Sequence, residues 1–291
     1  MDHLETLFAV VELGTMGKAA TRLRITQSAV SKRIKSLEAQ YGTAVIESQG
    51  RNVRLTEAGA RLLFRVRPLW TELKACLVHA DEKGPKTLVL GISESLMASI
   101  APLALKEVLS EMPEIQLEIH THRSPVAVEH VRSGDYTLAL CAETFAAKDL
   151  ESLSILREPM VILPSQLSRL RLRKGVEVPV LTIESNSATW SDLSGRISKF
   201  DKEAKIRLSV SQTLESFTAV AQMAKAGFGH GLVPIGIAMS MGLKRSIVPL
   251  PAPGLYRQIS LVGRRSILNQ KTIQDFAIRL QAVLSEMISS E

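Results

Sequence analysis

Gln27, Ser28, Ser31, Lys32 and Lys35 fall within nine consecutive residues that contain no carboxylate. Amides and hydroxyls can hydrogen-bond the edges of base pairs, and lysine can reach a guanine or a phosphate. On one helix face, these side chains therefore suit the major groove of DNA. Val30, Ile34, Leu37 and Tyr41 recur at helical spacing and form an apolar stripe on the other side. Any one of the polar residues could sit on an ordinary solvated helix. It is the combination with a buried stripe and an acid-free outer face that points to a nucleic acid.

The flanking residues supply the elements that would hold this face. Thr26 precedes the helix, where its hydroxyl can accept a free backbone N–H of the first turn. Ala19 and Ala20 are small enough for two helices to cross closely, and Lys18 on the earlier helix adds a cation. Leu4, Leu7, Phe8 and Val11 mark a first helix that Gly14 would stop. Ala44-Val45-Ile46 and Val53-Arg54-Leu55 read as two short strands around the turn Gln49-Gly50-Arg51-Asn52. That β-wing would carry Arg51 and Arg54 to backbone phosphates or a minor groove. A helix is predicted from about Glu57 to His79, with Ala58, Leu62, Leu69, Leu73 and Leu77 on a stripe and a kink at Pro68.

Ala19-Ala20…Leu23…Thr26-Gln27-Ser28-Ala29-Val30-Ser31…Ile34…Leu37-Glu38, followed by Leu55-Thr56-Glu57-Ala58-Gly59, resembles the N-terminal signature of the LysR-type transcriptional regulators. The resemblance covers about the first sixty residues. It implies a winged helix-turn-helix that binds an operator in double-stranded DNA, and a long helix that pairs with its copy in a homodimer or homotetramer. One departure stands at the wing. The family usually enters it with Leu-Phe, any residue, then Arg, whereas this chain has Val45-Ile46-Glu47-Ser48 and so exchanges a basic residue for an acidic one.

Asp81-Glu82-Lys83-Gly84-Pro85-Lys86 is a polar break, and beyond it strands and helices alternate. Strands are expected at 87–92, 115–119, 136–140, 160–164, 178–183, 206–210 and 256–263. Helices are expected near 96–110, 126–132, 190–200 and 214–226, with a final one near 269–288. This order predicts doubly wound α/β lobes. The expected architecture is a mainly α winged helix-turn-helix domain (1–58) and a linker and dimerisation helix with hinge (59–86). A two-lobed α/β effector domain (87–291), like periplasmic binding proteins, follows. Its lobe I is 87–162 plus 264–291 and its lobe II is 163–263.

In open α/β sheets, ligands bind beyond the C-terminal ends of strands. Small polar clusters stand at three such places: Ser93-Glu94-Ser95, Ser185-Asn186-Ser187 and Gln212-Thr213. The resemblance carries effector contact to Ser93, Ser95, Ser185, Ser187 and Thr213; Asn186 and His230 are further candidates for the same cleft. Free N–H groups at helix starts favour an anion, so a carboxylate-bearing metabolite is expected; Glu94 and Glu215 would oppose an anion unless they point away or the ligand also carries a cation. Helix capping explains each residue equally well when it is taken alone.

Composition narrows the alternatives. The net charge is +7, and residues 1–80 hold twelve Lys/Arg against seven Asp/Glu, so the basic excess gathers where the DNA-binding pattern lies. No apolar run reaches the roughly 18 residues of a membrane span, and the N-terminal residues lack the order of a signal peptide, which predicts a cytoplasmic protein with no membrane partner. Cys76 and Cys141 are far apart, the latter expected as a buried thiol, with a redox switch as the alternative. There is no G-x-S-x-G, phosphate-binding loop or G-x-G-x-x-G, and the six histidines are scattered. No catalytic residue, metal site or cofactor is expected. The competing reading is an α/β binding protein or enzyme that uses its first domain only to oligomerise. A sequence-independent architectural DNA protein would not need the second domain.

Overall fold

The computed structural model describes residues 2–50, 52–77, 86–142, 149–165, 170–184 and 187–289. Arg51, Ser185 and Asn186 lie outside the described residues. Backbone contacts divide the chain into two units, Met1–Leu77 and Val78–Glu291.

The first unit contains α1 (Asp2–Leu13), α2 (Met16–Leu23), α3 (Gln27–Tyr41), β1 (Ile46–Gln49), β2 (Asn52–Leu55) and α4 (Glu57–Leu77). Leu7, Val10, Ala19, Ala20, Val30, Ile34 and Leu37 are buried in two apolar clusters between α1, α2 and α3, with Met16 and Ile46 packed against both. The expected stripe on α3 ends one turn early. Tyr41, the last helical residue before the left-handed Gly42 (φ 83°), is 37 % exposed. The wing strands are antiparallel, with Ile46 opposite Leu55 and Glu47 opposite Arg54. The first strand starts at Ile46 rather than Ala44. Glu38 Oε1 of α3 accepts from the N–H groups of Val45 and Ile46 at 2.9 and 3.4 Å at the entry to the strand.

The Thr56-Glu57-Ala58-Gly59 segment has a steric explanation. Thr56 Oγ1 donates to Ala44 O at 2.7 Å and accepts from Gly59 N at 3.0 Å, which ties the start of α4 to the strand entering the wing. A Cβ on Gly59 would lie 1.9 Å from Val45 O, so only glycine fits. α4 continues through Pro68. It buries Leu63 and Trp70, the latter 5.8 Å from the Phe8 ring of α1, and leaves Phe64, Leu69 and Leu73 exposed.

In the second unit, β3 (Lys86–Ser93) leads to α5 (Glu94–Met97) and α6 (Ala101–Glu111). β4 (Ile115–His122), α7 (Ser124–Ser133), β5 (Leu138–Cys141) and β6 (Glu151–Leu163) follow. Next come β7 (Glu177–Ile183), α8 (Ala188–Ala204), β8 (Arg207–Leu214), α9 (Phe217–Lys225), β9 (His230–Pro234) and α10 (Ile235–Ser240). β10 (Val248–Pro249), β11 (Tyr256–Gly263), α11 (Arg265–Leu268) and α12 (Lys271–Ser289) complete the unit. The strands run in the order β4-β3-β5-β11-β6-β9-β7-β8, with β10 beside β6. β3 is parallel to β4 and β5, and β7 is parallel to β8 and β9, as βαβ units require. β11 is antiparallel to β5 and β6, which makes the whole a mixed sheet.

Two corrections concern element length. The strand expected at 160–164 begins nine residues earlier. Residues 151–159 pair with β11 and residues 160–163 pair with β9, so β6 threads both lobes. The single helix expected at 96–110 is two, because Ala98–Ile100 turn between α5 and α6 and Pro102 stands in the first turn of the latter. Lobe I is filled on one face by α6 and α12 and on the other by α7, and Ile273, Phe276 and Leu280 of α12 are buried in it. Lobe II has its own core around Phe200, Val220 and Leu232.

Candidate functional site

The recognition face rests on local capping. Thr26 Oγ1 accepts from Ala29 N at 3.2 Å and lies 2.9 Å from Ser28 Oγ, which fixes the first turn of α3. Ser28, Lys32 and Lys35 are exposed and Ser31 is half-buried, away from the buried Val30 and Ile34, and Gln27 is exposed at the first position of the helix. Among the described residues, Lys18, Lys32, Lys35 and Arg54 form no ion pair. Arg22 and Arg33, by contrast, are held by Glu12 at 2.7 Å and by Asp2 at 2.9 Å. Sequence reasoning did not separate these structural arginines from the unengaged cations. The wing is anchored where Val53 N donates to Gly14 O at 2.8 Å, and its Arg54 shares a cross-strand position with Glu47.

In the second unit, the polar turns after β3, β4, β7 and β8 line one partly open cavity. Lobe I contributes Ser93, Glu94 and Ser95, together with Arg123 and Ser124 at the start of α7. Lobe II contributes Ser187 and Thr189 at the start of α8, and Glu215, Ser216 and Phe217 at the start of α9. Of the expected effector residues, Ser93, Ser95 and Ser187 line this cavity. Thr213 is an exposed residue of β8 outside the lining. His230 is also outside it: its Nδ1 accepts from Ser165 N at 3.1 Å, and burial pushes its pKa below the usual histidine value.

Local bonding changes what each serine can do. Ser187 Oγ caps α8 by accepting from Trp190 N at 3.1 Å, and Ser216 caps α9 by accepting from Thr218 N at 3.2 Å. Ser93 is 4 % exposed and does not cap α5; among the described residues its hydroxyl has no partner. Ser95 Oγ accepts from Arg257 Nη1 at 2.7 Å.

Two arginines that sequence reasoning missed organise the cleft. Arg123 bridges the lobes, with Nη1 2.7 Å from Glu184 Oε1 and Nη2 3.6 Å from Glu215 Oε2. The hydrogen bond to Glu184 raises its pKa above the ordinary arginine value. Arg257 is buried behind the cleft, pairs with Glu158, and lies 5.6 Å from the ring centroid of Phe217. The sequence signal for Arg123 was its place directly after a strand, and for Arg257 a charge inside one.

Elsewhere in lobe I, His120, His122 and His130 stack around Tyr136, and His122 Nε2 lies 2.7 Å from the tyrosine hydroxyl. Among the described residues, no three His, Cys, Asp or Glu side chains are arranged to hold a metal ion. Nor is any described helix long and apolar enough to cross a membrane. Cys141 is buried, with its thiol 3.9 Å from Ser124 O.

Residues 1–60 match the bacterial regulatory helix-turn-helix protein, lysR family, and residues 82–285 match the LysR substrate binding domain. The chain belongs to the LysR family of transcriptional regulators: an N-terminal DNA-binding helix-turn-helix followed by an effector-binding domain. Members of this family bind DNA and effectors and form oligomers. An HTH-type transcriptional regulator of Vibrio cholerae is 27 % identical over 248 residues, covering 84 % of this chain and 82 % of the relative. A full-length OxyR variant from Pseudomonas aeruginosa superposes with a TM-score of 0.72 at 17 % identity, covering 99 % of this chain and 94 % of that one. Full-length CbnR complexed with target DNA gives 0.54 at 20 % identity, covering 97 % and 98 %.

Proposed function

We propose that this regulator reads its operator with Gln27, Ser28, Ser31, Lys32 and Lys35 of α3. Lys18, Arg51 and Arg54 add backbone contacts, and the interlobe cleft binds a small, carboxylate-bearing effector. The working division is a DNA-binding domain at 1–58, a linker helix and hinge at 59–86, and an effector domain at 87–291. The protein acts by binding rather than catalysis, and it acts in the cytoplasm.

The observation that carries this reading is the convergence of turns from both lobes on one cavity. A ligand there touches both lobes, so it can favour one lobe arrangement over another. A shift of that kind alters the geometry of an oligomer without touching its base contacts. The exposed Phe64, Leu69 and Leu73 on α4 support pairing of that helix with a second copy.

The test is a footprint of the purified protein on its own upstream DNA, with and without a panel of small carboxylates. Protection that lengthens, or gains a hypersensitive position, with one compound is the expected result. A Thr189→Trp protein, with the cleft filled, should bind the operator and not respond. A normal response from that variant would place the effector elsewhere.

A further inference from the structure

The cleft carries more negative charge than a plain carboxylate can use. Arg123 is the one cation among its described lining residues, and Glu184 and Glu215 already engage it at 2.7 and 3.6 Å. Glu94 lines the same cavity and, among the described residues, forms no ion pair. Three carboxylates therefore face one guanidinium.

A second, independent observation comes from Ser93. This residue lines the cavity at 4 % exposure, and its hydroxyl has no hydrogen-bond partner among the described residues. A buried hydroxyl left unpaired is costly, and a polar ligand atom in the cavity would pair it.

A ligand bearing only a carboxylate would compete with Glu215 for Arg123 and leave both acids of the lining, Glu94 and Glu215, without a counter-charge. A ligand bearing only a cation would pair the acids but leave the first turns of α7 and α9, which favour negative charge, unused. A molecule with both groups pairs both acids of the lining while Arg123 keeps its bond to Glu184. Its carboxylate meets Arg123 and the starts of α7 and α9. Its ammonium or guanidinium meets Glu94 and Glu215, and one of its polar atoms meets Ser93 Oγ.

We propose that the effector is a zwitterion of amino-acid type, selected over plain carboxylates by Glu94 and Glu215. This rests on the reading that the cleft is the effector site. The test is calorimetric titration of the full-length protein with the twenty L-amino acids and, for each binder, with its deaminated acid and decarboxylated amine. At least one amino acid should bind at least tenfold more tightly than either truncated form. In a Glu94→Gln/Glu215→Gln protein whose thermal melt shows it folded, the preference for the amino acid over its deaminated acid should disappear.

Equal binding of an amino acid and its deaminated acid overturns the proposal, as does a preference that survives in the double variant or a panel in which no amino acid binds. The Thr189→Trp protein separates the two readings. If a plain carboxylate binds the unaltered protein and not this variant, the cleft stands and the zwitterion falls. If an amino acid binds both proteins equally, the cleft reading falls too.

Discussion

Arg257 Nε donates to Glu158 Oε2 at 2.7 Å, with the two side chains 1 % and 0 % exposed. They face each other on β11 and β6, the strands that join the lobes. Each partner is also tied to a different lobe. Glu158 Oε1 accepts from Gly236 N at 2.9 Å at the start of α10, and Arg257 Nη1 donates to Ser95 at the mouth of the cleft. The pair is thus a latch between the hinge strands and the cavity lining. Removing one member of a buried pair strands the other charge, at a cost of about 3–5 kcal/mol. Arg257→Met should lose that much by denaturant unfolding. Adding Glu158→Gln to it should cost much less than the sum of the two single changes, because the second substitution removes the stranded charge. Additive effects would show that the two side chains act separately.

Gly59→Ala tests the junction between wing and linker helix. The added methyl would collide with Val45 O, and relieving it must move backbone rather than a flexible side chain. A loss of about 1–3 kcal/mol or more is expected, read as a lower melting temperature of residues 1–77 within the full chain. An unchanged melt would mean the strand entry can shift freely.

Ser31→Ala and Lys32→Ala test the recognition face. Neither side chain contributes to the buried centre of the first unit, so the fold should hold. Operator affinity should fall roughly five- to a hundred-fold for each hydrogen bond to a base edge that the substitution removes, while affinity for unrelated DNA changes less. A parallel fall on all sequences would assign these residues to phosphate instead.

Arg54 and Glu47 share one cross-strand position on the wing, so their charges should act in opposite directions. Arg54→Ala is expected to reduce the slope of log affinity against log salt by about one. Glu47→Gln should strengthen binding to any DNA by lifting repulsion from the phosphates. The check is fluorescence anisotropy across a salt series. An Arg54→Ala slope equal to that of the unaltered protein would remove the wing from the interface.

His230 sets a pH dependence. Its folded pKa is lowered by burial, and its Nδ1 is committed as an acceptor to Ser165 N. The folded state therefore binds the proton more weakly than the unfolded state. The stability associated with neutral His230 is present above the unfolded value, near 6.5, and is lost as pH falls through that value toward the lower folded one. Melting temperatures of the unaltered protein should drop between about pH 7.5 and 5.5 more than those of His230→Asn, whose amide oxygen can accept the same bond without titrating. Equal drops would show that other groups govern the acid limb.

The helix-turn-helix was legible in the sequence because everything that defines it is local. Thr26 caps the helix it precedes, Val30, Ile34 and Leu37 repeat at the helical period, and Ala19 and Ala20 permit the crossing. The alternation of strands and helices beyond residue 86 was equally legible, since each element carries its own periodicity. The cleft was legible only in part. Ser93, Ser95 and Ser187 follow strand ends and line the cavity, whereas Thr213 and His230 lie outside its lining. Tertiary structure alone decided that Arg123 reaches Glu184, 61 residues away, and that Arg257 meets Glu158 across 99 residues. It also decided that Arg33 pairs with Asp2 whereas Lys32 forms no ion pair among the described residues. The physical reason is range. Caps and periodic stripes are set by neighbours within a turn or two, whereas the partner of a charge is fixed by which strands and helices the whole fold brings side by side.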